Sequence, residues 1–201
     1  MVLTSEIIRS VMGEADAQAV YREVCKSGDF VGFARQFAFD ADYRVARNAL
    51  WSLTKATDKE IAQLQPMLDE LIDLALKTDS SSVRRLSLNV IDMLEMKEED
   101  LRSDLYDFCL EHAVDVEELP GIQAICMKIA FRISTFYPEL MAELKRILEG
   151  MEIEYYKPAV KSIRSRILSG KYQCWKQKDL FCARGVRVMP RRFSNMPAIP
   201  M

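Results

Sequence analysis

The sequence predicts an all-α chain of stacked antiparallel helix pairs, a helical solenoid. Three observations predict it. Apolar residues recur at three- and four-residue spacing almost everywhere up to Leu168, and strict alternation over strand lengths is absent. The stops between these segments are short and polar. One apolar block returns at a near-constant interval along the chain.

The periodic segments run near 5–13, 16–27, 30–39, 42–56, 59–77, 81–95, 98–113, 119–135, 138–150 and 155–169. Ser27-Gly28-Asp29 separates the second from the third. Ala56-Thr57-Asp58 separates the fourth from the fifth, with Asp58 expected as an N-cap. Asp79-Ser80-Ser81-Ser82 ends one segment and caps the next. Pro120-Gly121 and Tyr137-Pro138 break two patterns; proline at a helix start loses no internal bond. Links this short favour antiparallel neighbours.

The repeat carries the most information. Val45-Ala46-Arg47-Asn48-Ala49-Leu50-Trp51-Ser52-Leu53 aligns with Val83-Arg84-Arg85-Leu86-Ser87-Leu88-Asn89-Val90-Ile91. Both align with Ile122-Gln123-Ala124-Ile125-Cys126-Met127-Lys128-Ile129-Ala130. Each block opens on a β-branched residue, and a small residue stands four places on (Ala49, Ser87, Cys126). A large apolar residue follows it (Leu50, Leu88, Met127), and an apolar residue closes the block. The block starts are 38 and then 39 residues apart, within the range of helix-pair repeats. The small residue permits close approach of helices, and its large neighbours fill the space between layers. Pro158-Ala159-Val160-Lys161-Ser162-Ile163 gives a poorer copy, as does Ile7 with Val11 and Met12. End copies are expected to be atypical, because they cap the stack.

Asp42-Tyr43-Arg44-Val45-Ala46-Arg47-Asn48-Ala49-Leu50 and Ser82-Val83-Arg84-Arg85-Leu86-Ser87-Leu88 resemble the second helix of HEAT repeats. That helix commonly reads acidic-x-x-Val-Arg-x-x-Ala-Leu. The resemblance covers about 42–168 and extends toward the start. It implies a right-handed α-α superhelix of the HEAT/armadillo type. The repeat domain is expected over 1–170, and composition marks 171–201 as a basic, proline-containing tail. The resemblance also implies that the second helix of each pair lines a concave face.

Charge sorts along that division. The first helices are acidic, with Asp69, Glu70, Asp73, Glu98, Glu99, Asp100, Asp104, Asp107, Glu111, Glu139, Glu143 and Glu149. The second helices carry the cations. The candidate partner-binding residues are Arg44, Arg47, Arg84, Lys128, Arg132, Lys157, Lys161 and Arg164. A concave row of cations attracts an acidic partner. Arg after the opening Val also has a structural reading, as an ion pair with an acid of the next repeat. Lys157, Lys161 and Arg164 share one face at i, i+4, i+7 spacing. The overall charge of −2 divides unequally: the segment from Lys171 holds seven basic residues and Asp179.

Catalytic constellations are missing from the sequence. His112 is the single histidine, and no obvious partner adjoins it. Cys174 and Cys182 lack metal-ligand spacing, and no phosphate-cradling glycine loop occurs. The HEAT-like DNA alkylpurine glycosylases share a basic concave surface, but their clustered Trp, Asp and Arg have no counterpart here. Trp51 reads as packing, and Tyr155-Tyr156 as either a base-stacking pair or an end cap. No cofactor or metal is expected. No apolar run approaches the roughly 20 residues of a membrane span, and the start lacks a basic-then-apolar leader. The expected setting is cytoplasmic, with reduced thiols. The first functional expectation is a non-enzymatic scaffold holding a protein partner along the concave groove. The alternative is nucleic-acid backbone binding by the inner cations and the tail.

Overall fold

The computed structural model describes residues 2–173. The tail from Cys174 onward, including Cys182, lies outside the described residues. All regular structure among the described residues is helical. The α-helices are α1 (Ser5–Arg9), α2 (Glu14–Ser27), α3 (Phe30–Phe37), α4 (Tyr43–Leu53), α5 (Asp58–Ile61) and α6 (Leu68–Lys77). They continue with α7 (Ser81–Met93), α8 (Ser103–Val114), α9 (Pro120–Ser134), α10 (Pro138–Glu149) and α11 (Pro158–Leu168).

The helices stack in pairs. α3 packs on α4, α6 on α7, α8 on α9, and α10 on both α9 and α11. The second members form a row of their own: α4 on α7, α7 on α9, α9 on α11. α1 extends this inner row by packing on α4. One continuous apolar core runs between the two layers from Ile8 to Ile167.

The meshing predicted from the repeat is present. Ala49, Ser87 and Cys126 are fully enclosed on successive inner helices, and so are Leu50, Leu88 and Met127. Burying each large side chain contributes about 1.5–3 kcal/mol. The end copies depart from the pattern. Ser162 is exposed, and Val160 and Ile167 enter the core instead. At the other end Ile8 and Val11 are buried while Met12 is 86% exposed. α1 and α11 each have a single neighbour in the inner row, so fewer positions must fit two layers.

Local chemistry sets the ends. Asp29 caps α3 through the Gly32 N–H, and Ser80 caps α7 through the Val83 N–H. Gly28 ends α2 at φ 70°, a conformation that side chains with a Cβ rarely adopt. The expected helix over 59–77 is broken. Pro66 cannot donate to the ladder and clashes with the preceding turn, so Ala62–Met67 is a 3-10 segment between α5 and α6. Shorter helices than expected also occur at α1, α8 and α11. Gly13 begins the next helix after α1, and 3-10 turns at Glu98–Asp100 and Ile153–Tyr155 precede the other two.

Thr57, not Asp58, is the N-cap of α5. Glu60 accepts from the Thr57 N–H at 2.7 Å and from its hydroxyl at 2.8 Å, completing a capping box. Tyr21 Oη also donates to it at 2.9 Å. The Thr57 bonds, with help from Tyr21 and Cys25, hold the Glu60 carboxyl down to about 2, from an ordinary 4.5.

Two outcomes are expected. A depressed carboxylate contributes stability that is complete above its unfolded pKa and lost as it protonates. Stability should therefore fall as pH drops from about 4.5 toward about 2. Glu60→Gln should flatten that part of the pH dependence, measured by urea denaturation across the range. Ser87 Oγ is enclosed with no hydrogen-bond partner among the described residues. Ser87→Ala should raise stability by about 0.5–1 kcal/mol, because it removes an unpaired hydroxyl and improves helix propensity. A thermal melt checks it.

Candidate functional site

The inner row presents the candidate surface. α4, α7, α9 and α11 together carry nine cations and one acid, Asp92. The outer α6, α8 and α10 carry Asp69, Glu70, Asp73, Asp104, Asp107, Glu111, Glu139, Glu143 and Glu149. The sorting of charge between layers is therefore real in three dimensions. The roles of the individual cations differ from a uniform docking row.

Arg132 is the clearest departure. Its side chain is 2% exposed and lies between α9 and α7. Its Nη1 donates to Asp92 O at 2.7 Å and Asp92 Oδ1 at 3.3 Å, and its Nη2 to Leu94 O at 2.7 Å. These carbonyls belong to the C-terminal end of α7, where the helix leaves acceptors unpaired. A cation there also meets the negative end of the helix dipole. Arg132 is thus a buried clasp between repeats, inaccessible to a partner.

Arg84 and Arg164 act similarly. Arg84 Nη2 donates to Thr78 O at 2.7 Å, closing the end of α6 within its own repeat. Its guanidinium also lies over the Phe108 ring, 5.7 Å from the centroid. Arg164 Nε and Nη2 donate to Leu148 O and Glu149 O at the end of α10. The expected pairing of Arg84 with an acid of the next repeat is replaced by these backbone bonds. Gln123, which aligns with Arg84, donates to Asp115 O at the end of α8.

Arg47 works through a neighbour. Its Nε and Nη2 donate to Asn48 Oδ1 at 2.9 and 2.8 Å. This fixes the Asn48 amide with its NH₂ toward α1, where it donates to Ile8 O at 2.8 Å and Val11 O at 3.1 Å. Arg44 is exposed beside Tyr43. Lys157 is exposed at the start of α11, while Lys128 and Lys161 are half-buried. Lys157 and Lys161 share a surface, but Arg164 turns away from them to α10.

Sequence reasoning undervalued a groove between α4 and α7. Its volume is about 360 Å³, and Trp51, Leu86, Asn89 and Met93 line it with Arg85 and Lys55. Trp51 is half-buried here, at the edge of the core. Lys55 pairs with Glu14 at 2.6 Å and lies 5.9 Å from the Trp51 ring centroid. The Lys55 contact holds the Glu14 carboxyl below its ordinary range. Arg85 is exposed and has no side-chain partner among the described residues. The signal was the i, i+4 spacing of Arg47, Trp51 and Lys55, and of Arg85, Asn89 and Met93.

A second, open depression of about 660 Å³ lies at the edge of the last repeats, among Val114, Val116, Ile147, Met151 and Tyr155. Tyr156 is buried beside it and donates to Val114 O at 2.6 Å, so it caps, while Tyr155 is 68% exposed. His112 has a partner after all: its Nδ1 lies 2.6 Å from Glu118 Oε2, and its ring stacks on Phe108 at 4.0 Å. Glu118 also accepts from the Leu119 N–H, so the pair fixes the turn from α8 to α9. Among the described residues no cluster of His, Cys, Asp and Glu could hold a metal ion, and no helix is long and apolar enough to cross a membrane.

Paired helices, a continuous inner row and enclosed small residues at the repeat positions agree with one finding. The model of the HEAT repeat domain matches residues 4–171. The chain belongs to the HEAT repeat family. No curated protein and no solved structure matches it. The HEAT repeats therefore begin earlier than the clearest copies suggested, with α1 to α3 included in the matched span.

Arg132→Ala should cost about 3–5 kcal/mol, because it strands Asp92 and the carbonyls at the end of α7. Lys128→Ala, on the same helix, should stay within about 0.5 kcal/mol of the parent. Chemical denaturation of both variants separates the clasp from the surface cation.

Proposed function

We propose that this chain is a cytoplasmic, non-enzymatic interaction scaffold that holds a protein partner along the concave groove of α4, α7, α9 and α11. Membership of the HEAT family supports a scaffold, since stacked helix pairs offer an extended surface for binding. The observation that carries the reading is the inner face itself. It combines partly accessible apolar surface at Trp51 and Met93 with cations that have no internal partner among the described residues, Arg85 and Lys128. Apolar surface supplies binding energy, and the rim charges steer encounter and select the partner. Arg44, Lys157 and Lys161 extend the steering field along the row. Arg47, Arg84, Arg132 and Arg164 hold the surface in shape through their hydrogen bonds.

Nucleic-acid backbone binding is the weaker reading. It needs a run of free cations, and Arg84, Arg132 and Arg164 are engaged by backbone carbonyls.

A photo-cross-linking residue placed at Asn89 should capture a protein in the native host, and the same residue at Glu70 on the outer face should not. Capture at Glu70 alone would remove the groove from the proposal. The full chain and one ending at residue 170 should leave duplex and single-stranded DNA unshifted at low salt. A shift that collapses between about 50 and 200 mM salt would transfer the function to nucleic acid.

A further inference from the structure

Resting on the scaffold reading, we infer that the groove between α4 and α7 is a subsite for an acidic peptide segment, one that places a bulky apolar side chain beside a carboxylate. The apolar side chain enters among Trp51, Leu86 and Met93. The carboxylate meets Arg85.

Four observations carry this assignment. The groove holds about 360 Å³, room for one large side chain and part of its neighbours. Its lining mixes the apolar Trp51, Leu86 and Met93 with the polar Thr54, Lys55, Asn89 and Asp92. Arg85 stands at its edge with no side-chain partner among the described residues. Its Cδ lies 3.0 Å from where a Cβ on Gly121 would stand, in the first turn of α9. The Arg85 side chain therefore runs past the first turn of α9, the positive end of that helix and an unfavourable place for a cation alone. A carboxylate there interacts favourably with both.

The chain also displays the recognition in miniature. Glu14, from the outside of the inner row, already lies on Lys55 at the opposite rim, close to the Trp51 ring. An acid is thus accommodated against this groove at one edge, and Arg85 offers the second position. Asp92 is the acid that lines the groove, and Arg132 holds it at 3.3 Å, so it does not cancel the field of Arg85. A nucleic acid fits the groove less well, because its phosphates need a row of free cations and make no use of Trp51 and Met93.

The test is selection of a random peptide display library on the immobilised full-length chain, followed by fluorescence anisotropy with individual enriched peptides. Enriched peptides should be net acidic and carry Leu, Phe, Met or Trp within a few positions of Asp or Glu. Arg85→Glu should weaken their binding about tenfold or more, since it turns an attraction into a repulsion. Asn89→Trp, which fills the groove, should do the same. Lys145→Glu, on the outer α10, changes net charge equally and should shift binding less than about twofold. Circular dichroism melts establish that each variant is folded.

Neutral or basic enriched peptides that Asn89→Trp still displaces would overturn the acidic ligand while leaving the scaffold reading intact. Acidic peptides insensitive to both Arg85→Glu and Asn89→Trp would place recognition elsewhere and overturn the subsite. No enrichment, or an oligonucleotide bound in place of peptides and released by Arg85→Glu, would overturn it as well.

Discussion

A helix that ends inside a stack of helices leaves carbonyl groups that water cannot reach. The whole arrangement answers to that constraint. Asn48 meets the end of α1, Arg84 the end of α6, Arg132 the end of α7 and Arg164 the end of α10. Gln123 and Tyr156 together meet the end of α8. Every one of these donors stands on, or just before, an inner helix. The apolar core drives the layers together, and these donors decide where one helix can stop and the next begin.

The same constraint explains the charge pattern better than partner binding alone. Long cationic side chains reach backbone acceptors across a layer and favour the negative end of a helix. Inner helices therefore accumulate Arg for internal reasons. Besides Arg47, which holds Asn48, the inner cations that make no such backbone bond are Arg44, Arg85, Lys128, Lys161 and Arg166, with Lys157 just before α11. On the outer layer Arg102 plays the reverse part, lying 2.7 Å from Asp73 and 2.6 Å from Asp104 and moderating a surface rich in acids.

The fold was legible in the residues because packing between layers is periodic. Ala49, Ser87 and Cys126 recur at a near-constant interval, and each is enclosed. Helix ends were harder, because they depend on contacts distant in sequence. Nothing near Arg132 in the chain announces that Leu94, 38 residues earlier, will accept its hydrogen bond. His112 and Glu118 form their pair only because a turn folds back over six residues. Pro66 breaks the helix although the apolar spacing continues through it, so periodicity alone does not mark the break. Among the candidate site residues, spacing separated inner from outer faces. It could not separate Arg84, which reaches sideways to α6, from Arg85, which reaches outward.

Arg132 has a wider effect than capping. Because one side chain on α9 supplies bonds to the end of α7, those two repeats lack an independent boundary. In an array of self-contained units each would open separately, and fraying would advance one unit at a time. A clasp of this kind couples the opening of α7 to that of α9, so these two helices are expected to unfold together, and the groove beside α7 to last as long as their contact does.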